Sequence, residues 1–359
     1  MNRPIARFAT RTAYGATQLT RVAWYVGHGL AMNRLAEVVR DQDAESRRPR
    51  ARTNARLPDR GRLFEDMAAL FQRDLANVEA GLYPRPSDHD GSLATLLRRS
   101  WLFFQDLPEV HRRRESDGHS EVLTKETEGK RPRYYLQNFH FQSGGWMTDK
   151  SAELYDTQVE VLFKGSANAI RRQALQPLYE VFAQRDQRSL KFLDVGCGTG
   201  RLLHFVKQSW PRLPCLGMDL SEAYVREARR HLSRWGWMNI FVANGEAIPL
   251  PDASQDAVTN IFMFHELPPK VRRTIFREFA RVLKPGGRLI VVDSLQRGDE
   301  PDYDGLLEMF PQNFHEPYYS SYIEEDFCAM ARDGGLTHVR DVKAFIAKVM
   351  VFDKPSRGA

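Results

Sequence analysis

The 359-residue sequence predicts an α/β fold, a doubly wound sheet with a helical amino-terminal extension. Two observations carry that expectation. The apolar run Leu190, Phe192, Leu193, Val195 ends in a glycine-rich turn, Gly196-Cys197-Gly198-Thr199-Gly200, and an amphipathic stretch follows over 201–208. That order reads strand, tight loop, helix. A second apolar run, Cys215 to Met218, ends in Asp219, nineteen residues past Gly200. In a doubly wound sheet the carboxyl ends of such strands border one crevice, where ligands bind.

The remaining elements follow in order. Strands are expected at 239–242, 257–264 and 288–293, and the segment 282–287 (VLKPGG) stops a helix with Pro and Gly. The closing runs 336–342 and 344–352 read as an antiparallel hairpin at the sheet edge. Upstream, helices are expected over 5–39, twice within 61–114, over 150–163 and over 168–184. Leu19, Val22, Val26 and Leu30 form the apolar stripe of the first, and Ser92 caps a helix whose Leu93, Leu96, Leu97, Trp101 and Phe104 read as core. The polar run 41–60 reads as a linker, and 112–133 as a surface loop with Arg112, Arg113 and Arg114 on a solvated face. The organisation expected is a basic, partly helical segment and linker over 1–60, a helical extension or lid over 61–150, and the sheet domain over 151–359.

The chemistry starts at the two strand tips. Glycines let the backbone approach a ligand closely, and an acid at the second tip accepts hydrogen bonds from two ribose hydroxyls. The spacing is G-x-G-x-G, because Arg201 stands where a dinucleotide fingerprint has its third glycine. No G-K-[ST] follows, so nothing grips a triphosphate. Asn244, Gly245 and Glu246 close the third strand and offer an amide oxygen and backbone N–H groups to the polar edge of an adenine. The glycines alone would be an ordinary turn, and Asp219 with Ser221 an ordinary helix start. The joint pattern points to a nucleoside.

The chain resembles class I S-adenosylmethionine-dependent methyltransferases, closest to their quinone-biosynthesis-like, small-molecule branch. Four runs carry the resemblance over 189–353: LDVGCGTG, GMDLS, NGEAIPLPDASQDAV and VLKPGGRLIVVD. It implies a seven-stranded Rossmann-like sheet and S-adenosyl-L-methionine as cofactor. Asp194, Gly196, Gly198, Gly200, Asp219, Leu220, Asn244, Gly245, Glu246 and Phe262 would bind it. Asp194 would either orient the cofactor's ammonium group or bond the loop backbone. The family usually has an acid where Asn244 stands. The aromatic run Tyr134, Tyr135, Phe139, His140, Phe141, Trp146 would form part of a lid, or join the helical extension to the core.

A base is needed only where the acceptor carries a proton that must leave. His265, just past the fourth strand, is the first candidate, with Glu266 to orient it or hold a substrate amine. The alternative is a residue that caps the helix begun by Pro268 and Pro269. His140, His315 and Tyr318 are secondary candidates. No [ND]-P-P-[YF] follows the fourth strand, and no Pro-Cys pair or RNA-binding signature is present. A small or lipophilic acceptor is expected, with an RNA or protein methyltransferase and a non-catalytic cofactor-binding regulator as the alternatives.

Three cysteines, Cys197, Cys215 and Cys328, give no disulfide framework and no metal pair, so a cytoplasmic setting and no metal are expected. Cys197 reads as a small loop residue. Net charge is +6, and residues 1–60 hold twelve arginines, no lysine and five acids, the first at Glu37. Only twelve residues without formal charge separate Arg21 from Arg34, too few to span a bilayer, which needs about 20. Residues 5–39 are either a helix packed on the protein or a peripheral membrane contact.

Overall fold

The computed structural model describes residues 3–42, 51–88 and 90–356. Its helices are α1 (Arg3–Gln42), α2 (Arg60–Glu79), α3 (Leu93–Glu115), α4 (Asp149–Leu162), α5 (Ala167–Arg172), α6 (Leu175–Phe182), α7 (Arg201–Ser209), α8 (Glu222–His231), α9 (Pro269–Val282), α10 (Asp304–Asn313), α11 (Tyr319–Tyr322) and α12 (Phe327–Asp333). Its strands are β1 (Phe192–Val195), β2 (Cys215–Asp219), β3 (Met238–Val242), β4 (Gln255–Ile261), β5 (Leu283–Ser294), β6 (Thr337–Ala344) and β7 (Ala347–Asp353). They form one sheet in the order β3-β2-β1-β4-β5-β7-β6. β1 to β5 pair in parallel, and β7 runs antiparallel between β5 and β6. The expected hairpin is present, with β7 inserted and β6 at the edge.

The chain forms two compact units that interleave in sequence. One gathers the described parts of 1–54, 87–168 and 308–317; the other gathers 55–86, 169–307 and 318–359. The units cut across the linear division at 60 and 150: α2 belongs with the sheet, and α4 with α1 and α3.

In the sheet unit the strands grow from β-branched and aliphatic runs. Leu289, Ile290, Val291 and Val292 are fully buried, as parallel central strands require. Register then places polar side chains. Asp194 lies opposite Gly217 on one side and Thr259 on the other. β4 ends at Ile261 rather than 264, because Phe262 takes φ +54° and residues 264–266 close a 3₁₀ turn. α9 stops at Val282 and the KPGG segment lies inside β5, so helix passes directly to strand. The expected helix 168–184 is two helices, α5 and α6.

In the helical unit, α1 buries Tyr14, Gln18, Arg21, Tyr25 and His28. The predicted stripe faces inward only in part: Val22 and Val26 are half-buried, but Leu19 is 71% and Leu30 61% exposed. The polar inner face is preferred because its groups find partners. Arg21 pairs with Asp90 and Glu160, and the two His28 ring nitrogens meet Trp24 O and Ser100 Oγ at 2.8 Å each. Ser92 does cap α3, accepting from Thr95 N, but Leu93, Leu97 and Trp101 are exposed while Arg99, Phe103 and Asp106 face inward. α3 runs to Glu115, so the three arginines sit in its last turn. Only Arg112 is solvated. Arg113 donates to Phe141 O at 2.9 Å, and Arg114 to Asn313 Oδ1 at 2.6 Å. The aromatic run is packing in this unit: Tyr135, Phe139 and Phe141 are buried, and Phe139 stacks on Trp146 at 4.3 Å. The expected linker is described only outside 43–50. Among the described residues, no helix is long and apolar enough to cross a membrane.

Candidate active site

The glycine turn joins β1 to α7. Gly196, Gly198 and Gly200 take φ +67°, +53° and +78°, a region that side-chain-bearing residues avoid. A Cβ at Gly200 would sit 2.5 Å from Leu232 Cδ1. Gly200 thus permits the close helix approach that the dinucleotide fingerprint assigns to a glycine one position later. Cys197 N–H donates to Met218 O, which locks the turn against the tip of β2. Burial, with the charges of Asp219 and Asp194, holds the Cys197 thiol well above its ordinary pKa, so it is a neutral packing group.

Asp219 closes the turn from the neighbouring strand. Its Oδ2 accepts Gly198 N–H at 2.9 Å and its Oδ1 accepts Ser221 N–H at 2.8 Å. The carboxylate has more lone pairs than its backbone bonds use, so it can still accept from another donor. Burial raises the Asp219 pKa, and the backbone N–H groups of Ser221, Gly198 and Leu220 oppose that rise. Asp194 is buried beside it, with Oδ1 accepting Thr259 Oγ1–H at 2.6 Å. Burial first, and the Asp219 charge, push its carboxyl up to about 7; Thr259 and Arg171 pull the other way. Neighbouring Asn260 donates to Val195 O, and its buried Oδ1 has no hydrogen-bond partner. Two carboxylates and an orphan acceptor on the adjacent strands β2, β1 and β4 call for a ligand rich in donors and positive charge.

At the third tip, Asn244 Oδ1 accepts Glu246 N–H at 3.0 Å and its Nδ2 lies 3.3 Å from Glu246 Oε1. Gly245 packs against Ile275 and Val195, where an added Cβ would meet Ile275 at 3.3 Å. The fourth tip carries Phe262, buried, whose N–H donates to Val292 O. Its ring lies 5.8 Å from the Arg171 guanidinium carbon.

His265 is buried past that tip. Its Nδ1 meets Asp293 Oδ1 at 2.6 Å, and Nε2 stands 3.7 Å from Glu266 Oε1. Asp293, fully buried at the end of β5, also accepts Phe264 N–H at 2.8 Å and Ser294 N–H at 2.7 Å. The rings of Tyr319 and Tyr322 stand edge-on to the imidazole at 6.1 and 6.2 Å. Of the secondary candidates, Tyr318 begins α11 in the sheet unit, while His140 and His315 lie in the helical unit. There Asp117, His119 and His315 bring possible metal ligands within 4.8 Å of one another. The two imidazoles, however, stack at 4.1 Å with planes 13° apart, so their in-plane lone pairs do not converge on one ion.

Sequence reasoning missed Asp293, Thr259, Asn260 and Arg171. Asp293 and Thr259 stood in plain apolar strands, and only the parallel register brings them to β1 and to the β4 tip.

Residues 192–287 match the family model described as a methyltransferase domain. Over 181 residues the chain is 28% identical to a demethylmenaquinone methyltransferase of Thermotoga maritima, covering 50% of this chain and 74% of that protein. Over 146 residues it is 29% identical to a fatty-acid O-methyltransferase of Mycolicibacterium smegmatis, covering 40% and 52%. Over 100 residues it is 40% identical to a malonyl-[acyl-carrier protein] O-methyltransferase of Hahella chejuensis, covering 27% and 34%. The chain thus spans from about a third to about three quarters of the length of these relatives. The doubly wound sheet brings the carboxylates of Asp194 and Asp219 together on neighbouring strands within a methyltransferase domain. The chain is thus similar to class I S-adenosylmethionine-dependent methyltransferases of the quinone-biosynthesis-like branch, as an enzyme whose cofactor is S-adenosylmethionine.

Proposed function

We propose that this protein moves a methyl group from S-adenosylmethionine to a small, lipophilic acceptor that loses a proton in the reaction. When bound, the cofactor supplies an electrophilic methyl group on a sulfonium. Asp219 accepts the ribose hydroxyls through its remaining lone pairs, Asp194 faces the ammonium group, and Asn244, Gly245 and Glu246 read the adenine edge. Leu220 and Phe262 flank it. The chain's own task is to hold the acceptor in line with the methyl–sulfur bond and to exclude water.

The observation that carries the acceptor class is the His265–Asp293 contact. Asp293 accepts the Nδ1 proton, which leaves the lone pair on Nε2 to take a proton from the acceptor. Asp293 and Glu266 then stabilise the imidazolium that forms. Amines that are already neutral and carboxylates that are already ionised need no such base, whereas phenols and activated carbons do. The names of the relatives, a demethylmenaquinone methyltransferase among them, agree with a lipophilic quinol.

Transfer of a labelled methyl group to panels of fatty acids, quinols and amines tests the reading. Wild type should label a quinol, and the carboxylate of a fatty acid, which has no proton to lose, should not need His265. His265→Ala should lose about 10²–10⁴-fold in kcat while its affinity for S-adenosylhomocysteine stays unchanged. Labelling of RNA or protein alone, or full turnover by His265→Ala, would contradict it.

The protein is further proposed to work in the cytoplasm, with α1 against a membrane surface. Supporting this are the outward Phe8, Leu19 and Leu30, eleven residues apart on one helix face, and the absence of any acid before Glu37.

A further inference from the structure

We infer that Arg272 is a positioning residue for His265, fixing both the backbone that carries the imidazole and the tyrosine wall beside the ring. The inference rests on the reading of His265 as the base.

Arg272 is wholly buried near the amino end of α9. Both features weigh against an arginine there. A buried cation is costly without partners, and the amino end of a helix is the positive end of its dipole. The guanidinium is held by acceptors from separate segments. Nε donates to Phe264 O at 3.1 Å. Nη1 donates to Ser321 O at 3.1 Å and to Glu325 Oε2 at 3.0 Å. Nη2 donates to Tyr318 O at 2.8 Å and to Ser321 Oγ at 2.7 Å. A guanidinium carries five N–H groups, so the whole fork is engaged, and a lysine ammonium could reproduce only part of it.

Phe264 is the first point of grip. Its O accepts from Arg272, while its N–H donates to Asp293 Oδ2 at 2.8 Å. The next residue is His265, whose Nδ1 meets the other oxygen of that carboxylate at 2.6 Å. Arg272 and Asp293 thus hold the Phe264 backbone from both sides, and this fixes the direction from which the imidazole projects. The second point is α11, a single turn of four residues, too short to persist without outside bonds. Arg272 holds its start through Tyr318 O and Ser321. Gln296 Nε2 holds its end, donating to Tyr322 O and Glu325 O at 2.7 Å each. Tyr322 Oη–H donates to Ser294 O, and Tyr319 Oη meets Ser294 Oγ, both at 2.6 Å. These are the two rings that stand edge-on to His265.

An arginine that served stability alone would change how much protein folds, not the chemistry of the folded enzyme. Arg272→Gln, Arg272→Lys and the milder Ser321→Ala would be compared with wild type by three measurements. These are affinity for S-adenosylhomocysteine, methyl transfer to a quinol that wild type labels, and the imidazole nitrogen NMR spectrum of His265. Arg272→Gln should lose about 10- to 100-fold in kcat while cofactor affinity stays within about twofold. Its spectrum should show a mixture of tautomers where wild type shows the Nδ1–H form alone, and Arg272→Lys should recover part of the rate. Retained cofactor affinity shows that the variant is folded. If Arg272→Gln does not fold, Ser321→Ala decides, with an expected loss of about two- to tenfold in kcat at unchanged cofactor affinity. Unchanged kcat and spectrum in folded Arg272→Gln, unchanged kcat in the deciding Ser321→Ala, or equal losses of kcat and cofactor affinity would overturn the positioning role alone. Full turnover by His265→Ala would instead overturn the base reading beneath it.

Discussion

At Asp194 the protein holds a carboxyl group that titrates at about 7, raised by burial and by the Asp219 charge. A ligand that offers an ammonium group favours the ionised form. Affinity for S-adenosylhomocysteine should therefore rise with pH through this value, changing up to about tenfold per unit below it. Calorimetric titrations from pH 5.5 to 7.5 would show that slope, and Asp194→Asn should flatten it. A flat wild-type profile would mean that Asp194 does not face the ammonium. Asp194, Asp219 and the three glycines were legible in the sequence because their motif is local: strand, turn and acid follow within a short span. Arg171 and Asp293 were not. Arg171 belongs to no local pattern and Asp293 only closes the run VLKPGGRLIVVD, so each acquires meaning through a partner elsewhere in the chain, Phe262 for one and His265 for the other.

Among the elements, periodicity located the helices of the amino-terminal half but not α10, α11 or α12, and it misjudged two faces. Counting aliphatic residues put Leu19 and Leu30 of α1, and Leu93, Leu97 and Trp101 of α3, toward a core. The inner faces instead hold polar residues paired by charge across α1, α3 and α4, such as Arg21 with Glu160 at 2.8 Å. Burial of a charge follows from its partner, which hydropathy does not encode. The same reasoning applies to α5, where the wholly buried Arg172 donates to Asp74 of α2 at 2.6–3.0 Å. Removing one member of a buried ion pair strands the other, so Asp74→Ala should destabilise the sheet unit by about 3–5 kcal/mol. Denaturant unfolding measures this. A loss under about 1 kcal/mol would show that Asp74 and Arg172 behave as a surface pair.

On the scale of the whole molecule, the outward stripe of α1 and the arginine-rich start predict reversible attachment to anionic bilayers. Co-sedimentation with phosphatidylserine-containing vesicles should exceed that with phosphatidylcholine alone and fall with added salt. Leu19→Asp with Leu30→Asp should abolish it and leave cofactor binding intact. Equal sedimentation of that variant would remove the surface assignment. The catalytic account depends on something else, the grip of one carboxylate on the ribose. Titration of wild type and Asp219→Ala with S-adenosylhomocysteine tests it most directly. Loss of charge-assisted hydrogen bonds worth about 1.5–3 kcal/mol each predicts one bound ligand per wild-type chain and affinity at least tenfold weaker in the variant. Equal affinity in the two proteins, or no binding by wild type, would contradict the account.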